Sequence, residues 1–225
     1  TVAAATEVRI MLDRTIKEVK KYSNKNIKIA FDEWNTYVEA NSPFFIENYN
    51  IADAIYAASL LHACINRGNI ITNTGIYHLV NVMGNYRIDK KKIWKTPTTL
   101  VLELYTKFHK GKILKSKVKC GIFESNKLGK QPHYKNNKLI DTAVTRNGDK
   151  ICMSVVNKSE KEIVKVLVSN LDKIIENYCI RGSNKVDLND SKNLNKVKIE
   201  KNIIKIDKNV INLPPHSVSV FIFKM

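Results

Sequence analysis

Five consecutive residues, Phe31-Asp32-Glu33-Trp34-Asn35, hold the side chains of this sequence that are best suited to chemistry. They follow the apolar run Ile27-Lys28-Ile29-Ala30, which is typical of a buried strand. A charge at the end of such a strand must be paired or used, because burying it alone is costly. A carboxylate beside an indole ring and an amide suits work on sugars. The ring packs on a sugar face, the amide binds hydroxyls, and the carboxylate attacks or stabilises the anomeric carbon. The motif alone also fits an acidic cap where a strand turns into a helix, so both interpretations stay open.

The first 110 residues, which must position this motif, alternate between helical and strand-like patterns. Asn50 and Thr96 are well placed to cap helices, and Pro97 suits the first position of a helix. Helices that connect strands imply parallel strands, so the ends of both strands should lie at one edge. Two strands cannot close a sheet, and this region therefore looks like a slice of a larger α/β barrel. The predicted helices cover 4–22, 50–67 and 96–111, and the predicted strands cover 27–31 and 70–76.

After Gly111 the apolar period changes from helical to alternating. Asn147-Gly148 lies between two alternating runs, which is the strongest short signal for a β-hairpin. Pro214-Pro215 excludes strand pairing just before the last run, and His216 beside it is expected at the surface. The polar segment 185–195 is expected to be an exposed loop. Short strands separated by turns indicate an antiparallel sandwich. Its predicted strands cover 140–145, 150–156, 163–168, 197–199, 203–206 and 218–223.

The bulk composition is that of a globular protein, with 225 residues of which 44% are hydrophobic and 26% charged. A net charge of +17 invites a nucleic-acid role. The charge comes from 32 lysines and only six arginines spread along the chain, whereas nucleic-acid binding relies on arginine for bidentate contacts. We therefore expect no nucleic-acid partner. The sequence also has no apolar run of about 18 residues, so no membrane span is expected.

The cysteines and histidines show no spacing that suggests a metal site or a redox pair. Cys64, Cys120, Cys152 and Cys179 are far apart in the sequence, which predicts free buried thiols in a reducing compartment. The five histidines lack metal-ligand spacing, so no metal is expected.

Four segments that occur in one order closely resemble the C-terminal part of glycoside hydrolase family 51, the α-L-arabinofuranosidases. The segments are 27–35, 49–54, His78-Leu79-Val80-Asn81-Val82 and Leu213-Pro214-Pro215-His216-Ser217-Val218. Several ordered matches are more specific than any one motif. The resemblance implies the C-terminal part of a (β/α)8 TIM barrel over 1–110, followed by an antiparallel jelly-roll β-sandwich over 111–225. The two predicted strands of the first part would be the seventh and eighth barrel strands.

The resemblance also implies roles for five side chains. Glu33 would be the nucleophile of a retaining mechanism that releases terminal α-L-arabinofuranosyl residues from arabinan, arabinoxylan or derived oligosaccharides. Trp34, Asn35, Tyr37 and His78 would contact the substrate. Tyr37 stands where many members carry Trp, and His78 stands where the family commonly has Gln, which puts strict arabinofuranoside specificity in doubt. From the residues alone, Trp34 also fits a core side chain, Asn35 a structural amide and His78 a satisfied core histidine.

A retaining site needs a second carboxyl group as its acid/base. In the family this group belongs to the fourth barrel strand, and nothing in this sequence matches that motif. The nearest acidic residues, Asp32, Glu39 and Glu47, have no strong claim to the role. We therefore expect a C-terminal fragment that is inactive without the N-terminal barrel portion.

The resemblance further implies a cytoplasmic protein that needs no metal or cofactor and forms homo-oligomers in its full-length form. Its partners would be arabinofuranosyl-containing oligo- or polysaccharides and the missing N-terminal barrel portion. The alternative hypothesis is a non-catalytic module for carbohydrate binding or assembly, with a degenerate barrel remnant.

Overall fold

The computed structural model describes residues 1–36, 48–127, 131–169 and 173–224. In these ranges a short 3₁₀ turn, Val2–Ala4, precedes the helices α1 (Ala5–Tyr22), α2 (Ile51–Ile65) and α3 (Pro97–Phe108). The first strands are β1 (Ile29–Trp34), β2 (Ile71–Ile76), β3 (Tyr86–Asp89), β4 (Lys92–Lys95), β5 (Lys112–Leu114), β6 (Ile122–Ser125) and β7 (Tyr134–Lys138). The later strands are β8 (Ile140–Asn147), β9 (Lys150–Asn157), β10 (Val164–Leu167), β11 (Ile174–Arg181), β12 (Ile199–Lys201), β13 (Ile206–Asp207), β14 (Val210–Leu213) and β15 (Ser217–Lys224).

Helices α2 and α3 begin at side chains that cap them. The Asn50 side chain accepts a hydrogen bond from the Ala52 N–H at 2.8 Å, and the Asp53 carboxylate accepts one from the Asn50 N–H at 2.9 Å. The Thr96 hydroxyl accepts the N–H of Thr99 at the start of α3. These bonds satisfy N–H groups that have no partner within the helix, so both predicted caps are confirmed.

Helix α3 ends at Phe108 instead of continuing to Gly111, because His109 leaves helical geometry. The two ring nitrogens of His109 lie 3.1 Å from the Thr145 hydroxyl and 2.8 Å from the Ser154 hydroxyl. The chain therefore turns where a polar side chain joins the neighbouring sheet, and the predicted helix end was wrong by three residues.

Strands β1 and β2 pair in parallel, as the helical crossover α2 between them requires. Phe31 pairs with Thr74 and Trp34 with Ile76, so three steps along β1 match two along β2. This mismatch is a β-bulge, and it falls at Asp32 and Glu33. The sequence placed the acidic pair after the strand, whereas the pairing shows that the strand continues through it to Trp34.

Two antiparallel sheets of three or more strands follow the helical part, besides the two-stranded sheet of β6 and β7. The larger sheet has the order β12-β11-β15-β9-β8-β5, and the smaller has the order β10-β14-β13. The hairpin predicted at Asn147-Gly148 is confirmed, with strands that end at Asn147 and restart at Lys150. Gly148 has a φ of +60°, a conformation that glycine adopts at no steric cost. The described chain is therefore mostly β-sheet with few helices.

The larger sheet is covered on both faces, and β15 shows this by alternation. Its residues Val218, Val220 and Ile222 belong to one apolar core with helices α1, α2 and α3. Phe221 and Phe223 belong to a second core, which includes Leu213 of the smaller sheet. The larger sheet thus forms the middle layer between the helices and the smaller sheet.

Three further features differ from what the sequence predicted. Strands β3 and β4 form a hairpin that was not predicted. His216 is buried, because its N–H bonds the Ser159 carbonyl and draws the residue inside. The segment 185–195 is not wholly exposed, since Asn189 is buried. Its amide nitrogen donates to the Val197 carbonyl and its amide oxygen accepts the Val197 N–H, so the buried side chain keeps its hydrogen bonds.

Candidate active site

The carboxyl ends of β1 and β2 bring the two predicted site segments together. The Tyr77 N–H donates to the Trp34 carbonyl at 3.1 Å, one residue beyond the last strand pair. The acidic motif and the segment that carries His78 are therefore neighbours at one edge of the parallel pair. In barrels and open α/β sheets this edge is where side chains from different strands combine into a site.

Glu33 is exposed at this edge. Its carboxylate forms no hydrogen bond or ion pair with any other residue of the described ranges. Gly75 lies opposite the bulge, and a Cβ atom added there would be 3.0 Å from the Asp32 carbonyl oxygen. The bulge thus lies against a glycine, and both acidic side chains within it are exposed.

Trp34 lies in the core and not at an open surface. Its side chain belongs to the apolar cluster formed with α2, and only 6% of the residue is exposed. The indole N–H donates to the Thr74 hydroxyl at 2.7 Å. This geometry fits the core alternative that the sequence left open for Trp34, and the described structure offers it no route to a sugar.

Asn35 forms its hydrogen bonds with the main chain. Its amide nitrogen donates to the Tyr77 carbonyl and, at 2.8 Å, to the Met83 carbonyl. Its amide oxygen accepts the Thr36 N–H at 2.9 Å. The side chain therefore links the end of β1 to both ends of the loop that contains His78.

The loop from 77 to 83 holds the main chain of His78 on both sides. The His78 N–H lies 3.3 Å from the Met83 carbonyl, and the His78 carbonyl accepts from both the N–H and the side-chain amide of Asn85. Asn81 and Val82 have φ values of 50° and 49°, so the tip of the loop is in the left-handed region that branched residues avoid. The His78 ring is half-buried beside the Tyr77 ring, and no described group forms a hydrogen bond with it.

Three predicted or candidate residues lie outside the described ranges. They are Tyr37, Glu39 and Glu47, in the segment 37–47.

The sequence also missed residues that shape this edge. Tyr49 is 3% exposed, and its hydroxyl lies near the carbonyl oxygens of Thr36 and Met83. A buried tyrosine hydroxyl requires such a partner, and this requirement could have pointed to Tyr49. Met83 and Asn85 contribute through main-chain and amide contacts, which no sequence pattern indicates.

The described ranges hold no metal cluster, membrane-spanning helix or disulfide. No three His, Cys, Asp or Glu side chains there are grouped to hold a metal ion. None of the described helices combines the length and the apolar character needed to cross a membrane. The four cysteines are free, and three of them are buried, which confirms the prediction of unpaired thiols.

The sequence model of the α-L-arabinofuranosidase C-terminal domain matches residues 32–217. An intracellular exo-α-(1→5)-L-arabinofuranosidase of Streptomyces lividans is 27% identical over 151 residues, which cover 61% of this chain and 22% of that enzyme. A probable α-L-arabinofuranosidase C of Aspergillus clavatus is 28% identical over 142 residues, which cover 61% of this chain and 28% of that enzyme.

Solved structures share the fold along the whole chain. The α-L-arabinofuranosidase of Thermotoga maritima, in complex with arabinose, superposes with a TM-score of 0.85 at 24% identity and covers 100% of this chain and 49% of its own. The thermostable family 51 enzyme of Thermotoga petrophila gives a TM-score of 0.84 at 24% identity, with 97% and 49% covered. At this identity the two structures establish a common fold.

The chain therefore belongs to the α-L-arabinofuranosidase C-terminal domain family, as the resemblance in the sequence indicated. It spans about half the length of the two solved Thermotoga enzymes and less than a third of the two curated relatives.

Proposed function

We propose that this chain supplies the nucleophile-bearing part of a retaining α-L-arabinofuranosidase. The observation that carries the proposal is the position of Glu33. It is an exposed carboxylate with no partner among the described residues, at the carboxyl end of β1 and beside the loop that holds His78, in a chain of this family. Such a carboxylate can attack an anomeric carbon without first breaking an ion pair.

The chemistry assigned to Glu33 has two steps. The carboxylate attacks the anomeric carbon of a terminal arabinofuranosyl residue as the leaving oxygen takes a proton from an acid, which gives a covalent glycosyl-enzyme. Water then attacks the same carbon, the former acid removes its proton, and Glu33 is released. The acid/base must lie about 5–5.5 Å from Glu33. We place it in barrel strands outside this chain, because nothing in the sequence matches the family's acid/base motif.

The proposed architecture follows from the same reasoning. We assign β1 and β2 as the seventh and eighth strands of a (β/α)8 barrel, with 1–110 as the barrel segment and 111–225 as the jelly-roll sandwich. Across the described ranges β1 and β2 pair only with each other, so each strand has an outer edge to which another barrel strand could bond. We propose that an N-terminal barrel portion is the partner that these edges fit.

The proposed substrates are arabinan, arabinoxylan and oligosaccharides derived from them. The Streptomyces relative is named as an exo-enzyme of α-(1→5) linkages and as intracellular, which supports both this substrate class and a cytoplasmic location for the present protein. We also propose that the full-length form is a homo-oligomer. His78 replaces the Gln common in the family, and we expect it to contact the sugar, because its ring is free of other hydrogen bonds in the described structure.

The test compares this chain with the same chain extended through the upstream barrel, on an aryl α-L-arabinofuranoside. We expect hydrolysis only by the extended form. Glu33→Ala should reduce its kcat by at least about 10³-fold, and sodium azide should restore release of the aryl group by attacking the anomeric carbon in place of the carboxylate. The azide product should have the inverted anomeric configuration, which nuclear magnetic resonance can determine.

Asp32→Ala is the matched control, because it removes the neighbouring exposed carboxylate from the same bulge. It should retain most of the activity and show no response to azide. Equal losses in the two variants would argue against Glu33 as the nucleophile. An extended wild-type form with no activity on any arabinofuranoside would favour the non-catalytic binding module instead.

A further inference from the structure

The hydrogen bonds of Asn35 leave little of its side chain for a substrate. An asparagine amide has two N–H donors and one acceptor oxygen. Both donors are used, one towards the Tyr77 carbonyl and one towards the Met83 carbonyl at 2.8 Å. The oxygen accepts the Thr36 N–H at 2.9 Å. A sugar hydroxyl could bind this amide only by displacing contacts that connect β1 to the next loop.

Tyr49 reaches the same place from the start of α2. Its hydroxyl lies 3.3 Å from the Thr36 carbonyl and 3.2 Å from the Met83 carbonyl. The Met83 carbonyl therefore has three donors around it, from Asn35, Tyr49 and the His78 N–H. Tyr49 is 3% exposed, so water does not compete strongly for these contacts.

We propose that Asn35 and Tyr49 are positioning residues that fix the loop 77–83, and with it His78, relative to Glu33. We call their joint contacts with the loop the carbonyl clamp. This inference rests on the proposed function for its catalytic meaning, since it concerns the same site. It gives Asn35 no contact with the sugar.

The loop needs an external restraint because its own geometry is unfavourable. Asn81 and Val82 both have left-handed φ values, and such a conformation persists only where the surrounding structure holds it. The clamp bonds to Tyr77 at one end of the loop and to Met83 at the other, so one amide reinforces the loop's own bond from the His78 N–H to the Met83 carbonyl. Without these bonds we expect the loop, held by its own contacts and those to 85–88, to be less fixed, and with it the position of His78.

The kinetic test is a double-mutant cycle in the extended, active form. Asn35→Ala and His78→Ala should each lower kcat/KM on an aryl α-L-arabinofuranoside by about 10- to 100-fold. The double variant should be no worse than His78→Ala, because Asn35 acts through the position of His78. Multiplied losses in the double variant would overturn the proposal, since they would mean that Asn35 contacts the substrate independently.

Further variants separate positioning from general stability. Asn35→Asp keeps the acceptor for Thr36 but loses both donors, so it should resemble Asn35→Ala. Tyr49→Phe should give a smaller loss of the same kind. The matched control is Asn66→Ala, which removes an amide bond to the Thr142 carbonyl at 3.0 Å, far from the loop. It should lower the melting temperature and leave kcat/KM unchanged. An Asn35→Ala enzyme with lower thermal stability but unchanged kcat/KM would contradict a positioning role.

The clamp can also be tested without any activity, by hydrogen exchange and mass spectrometry on the 225-residue chain itself. Asn35→Ala should speed amide exchange in a peptide covering 77–86 by at least about tenfold, while the hairpin 140–157 exchanges as in wild type. Unchanged exchange in 77–86 would refute the clamp even if the enzyme proves active. Faster exchange in a protein whose extended form is inactive would support the clamp and reject only the proposed function.

Discussion

Glu33 and Trp34 are neighbours in sequence but have opposite surroundings. Glu33 is exposed, whereas Trp34 is in the core and its indole N–H donates to Thr74. The bulge adds one residue to β1 and so shifts the alternation of its side chains. Glu33 is therefore exposed, and the next residue, Trp34, enters the core. Trp34 therefore fixes the end of β1 to the core. Because its indole N–H bonds Thr74, replacing Thr74 should weaken this attachment.

Thr74→Val should lower the free energy of unfolding by about 1–3 kcal/mol, because it leaves the buried indole N–H without an acceptor. Urea denaturation followed by tryptophan fluorescence measures this change. Thr72→Val is the control, since Thr72 is exposed on the same strand, and it should change stability by less than about 0.5 kcal/mol. Equal effects would show that the indole bond contributes nothing beyond strand propensity.

At the level of elements, a buried polar network joins the helices to the larger sheet. The Nε2 atom of His62, in α2, lies 2.7 Å from the Ser154 hydroxyl of β9 and 2.7 Å from the Tyr105 hydroxyl of α3. His109, which ends α3, adds its 2.8 Å contact to Ser154. Burial lowers the pKa of His109 to about 4 and lowers the pKa of His62 well below its usual range. The positive charges of Arg9 and Lys158 lower the pKa of His62 further.

This network should make the fold sensitive to acid. In the unfolded chain both histidines take up a proton near pH 6.5, whereas in the folded chain they remain neutral to lower pH. The unfolded state then binds more protons, so stability is present above about pH 6.5 and is lost as the pH falls from there towards 4. The loss should approach about 1.4 kcal/mol per pH unit for each histidine. Urea denaturation at pH 4.5, 5.5, 6.5 and 7.5 measures it.

His109→Gln should weaken this dependence, because glutamine keeps polar atoms near Thr145 and Ser154 but cannot be protonated. His133→Gln is the control, since His133 is exposed and its ion pair in the described structure is with Glu124. It should leave the dependence on pH unchanged. If His109→Gln has the wild-type slope, the acid sensitivity comes from other groups.

Across the whole molecule, the sequence predicted the features that adjacent residues determine and missed those that join distant segments. The caps at Asn50 and Thr96 and the hairpin at Asn147-Gly148 are set by adjacent residues, and all were predicted. The hairpin of β3 and β4 turns at Lys90 with a φ of +51° and has no glycine or asparagine there, so its signal was absent. The carbonyl clamp joins segments that are distant in sequence, and no local pattern could show that Tyr49 meets Met83.

The same distinction applies to the domain boundary. A change of period at Gly111 predicts two units, 1–110 and 111–225, but periodicity does not report how units pack. The apolar core of α2 and α3 is continuous with Val218, Val220 and Ile222 of β15. Helices and sheet thus share buried surface, and neither unit could shed the other without exposing it.

We therefore expect the chain to unfold as one cooperative unit. Its only two tryptophans, Trp34 and Trp94, lie in the first unit, so their fluorescence reports the helical part, whereas circular dichroism near 218 nm reports mainly the sheet. Val220→Ala removes a fully buried side chain from the sheet and should cost about 1–3 kcal/mol. With a shared core, it should shift the urea midpoints of both signals equally. A shift of the circular dichroism midpoint alone, with the fluorescence midpoint unchanged, would show that the two units unfold independently. The predicted boundary at Gly111 would then also separate two units of different stability.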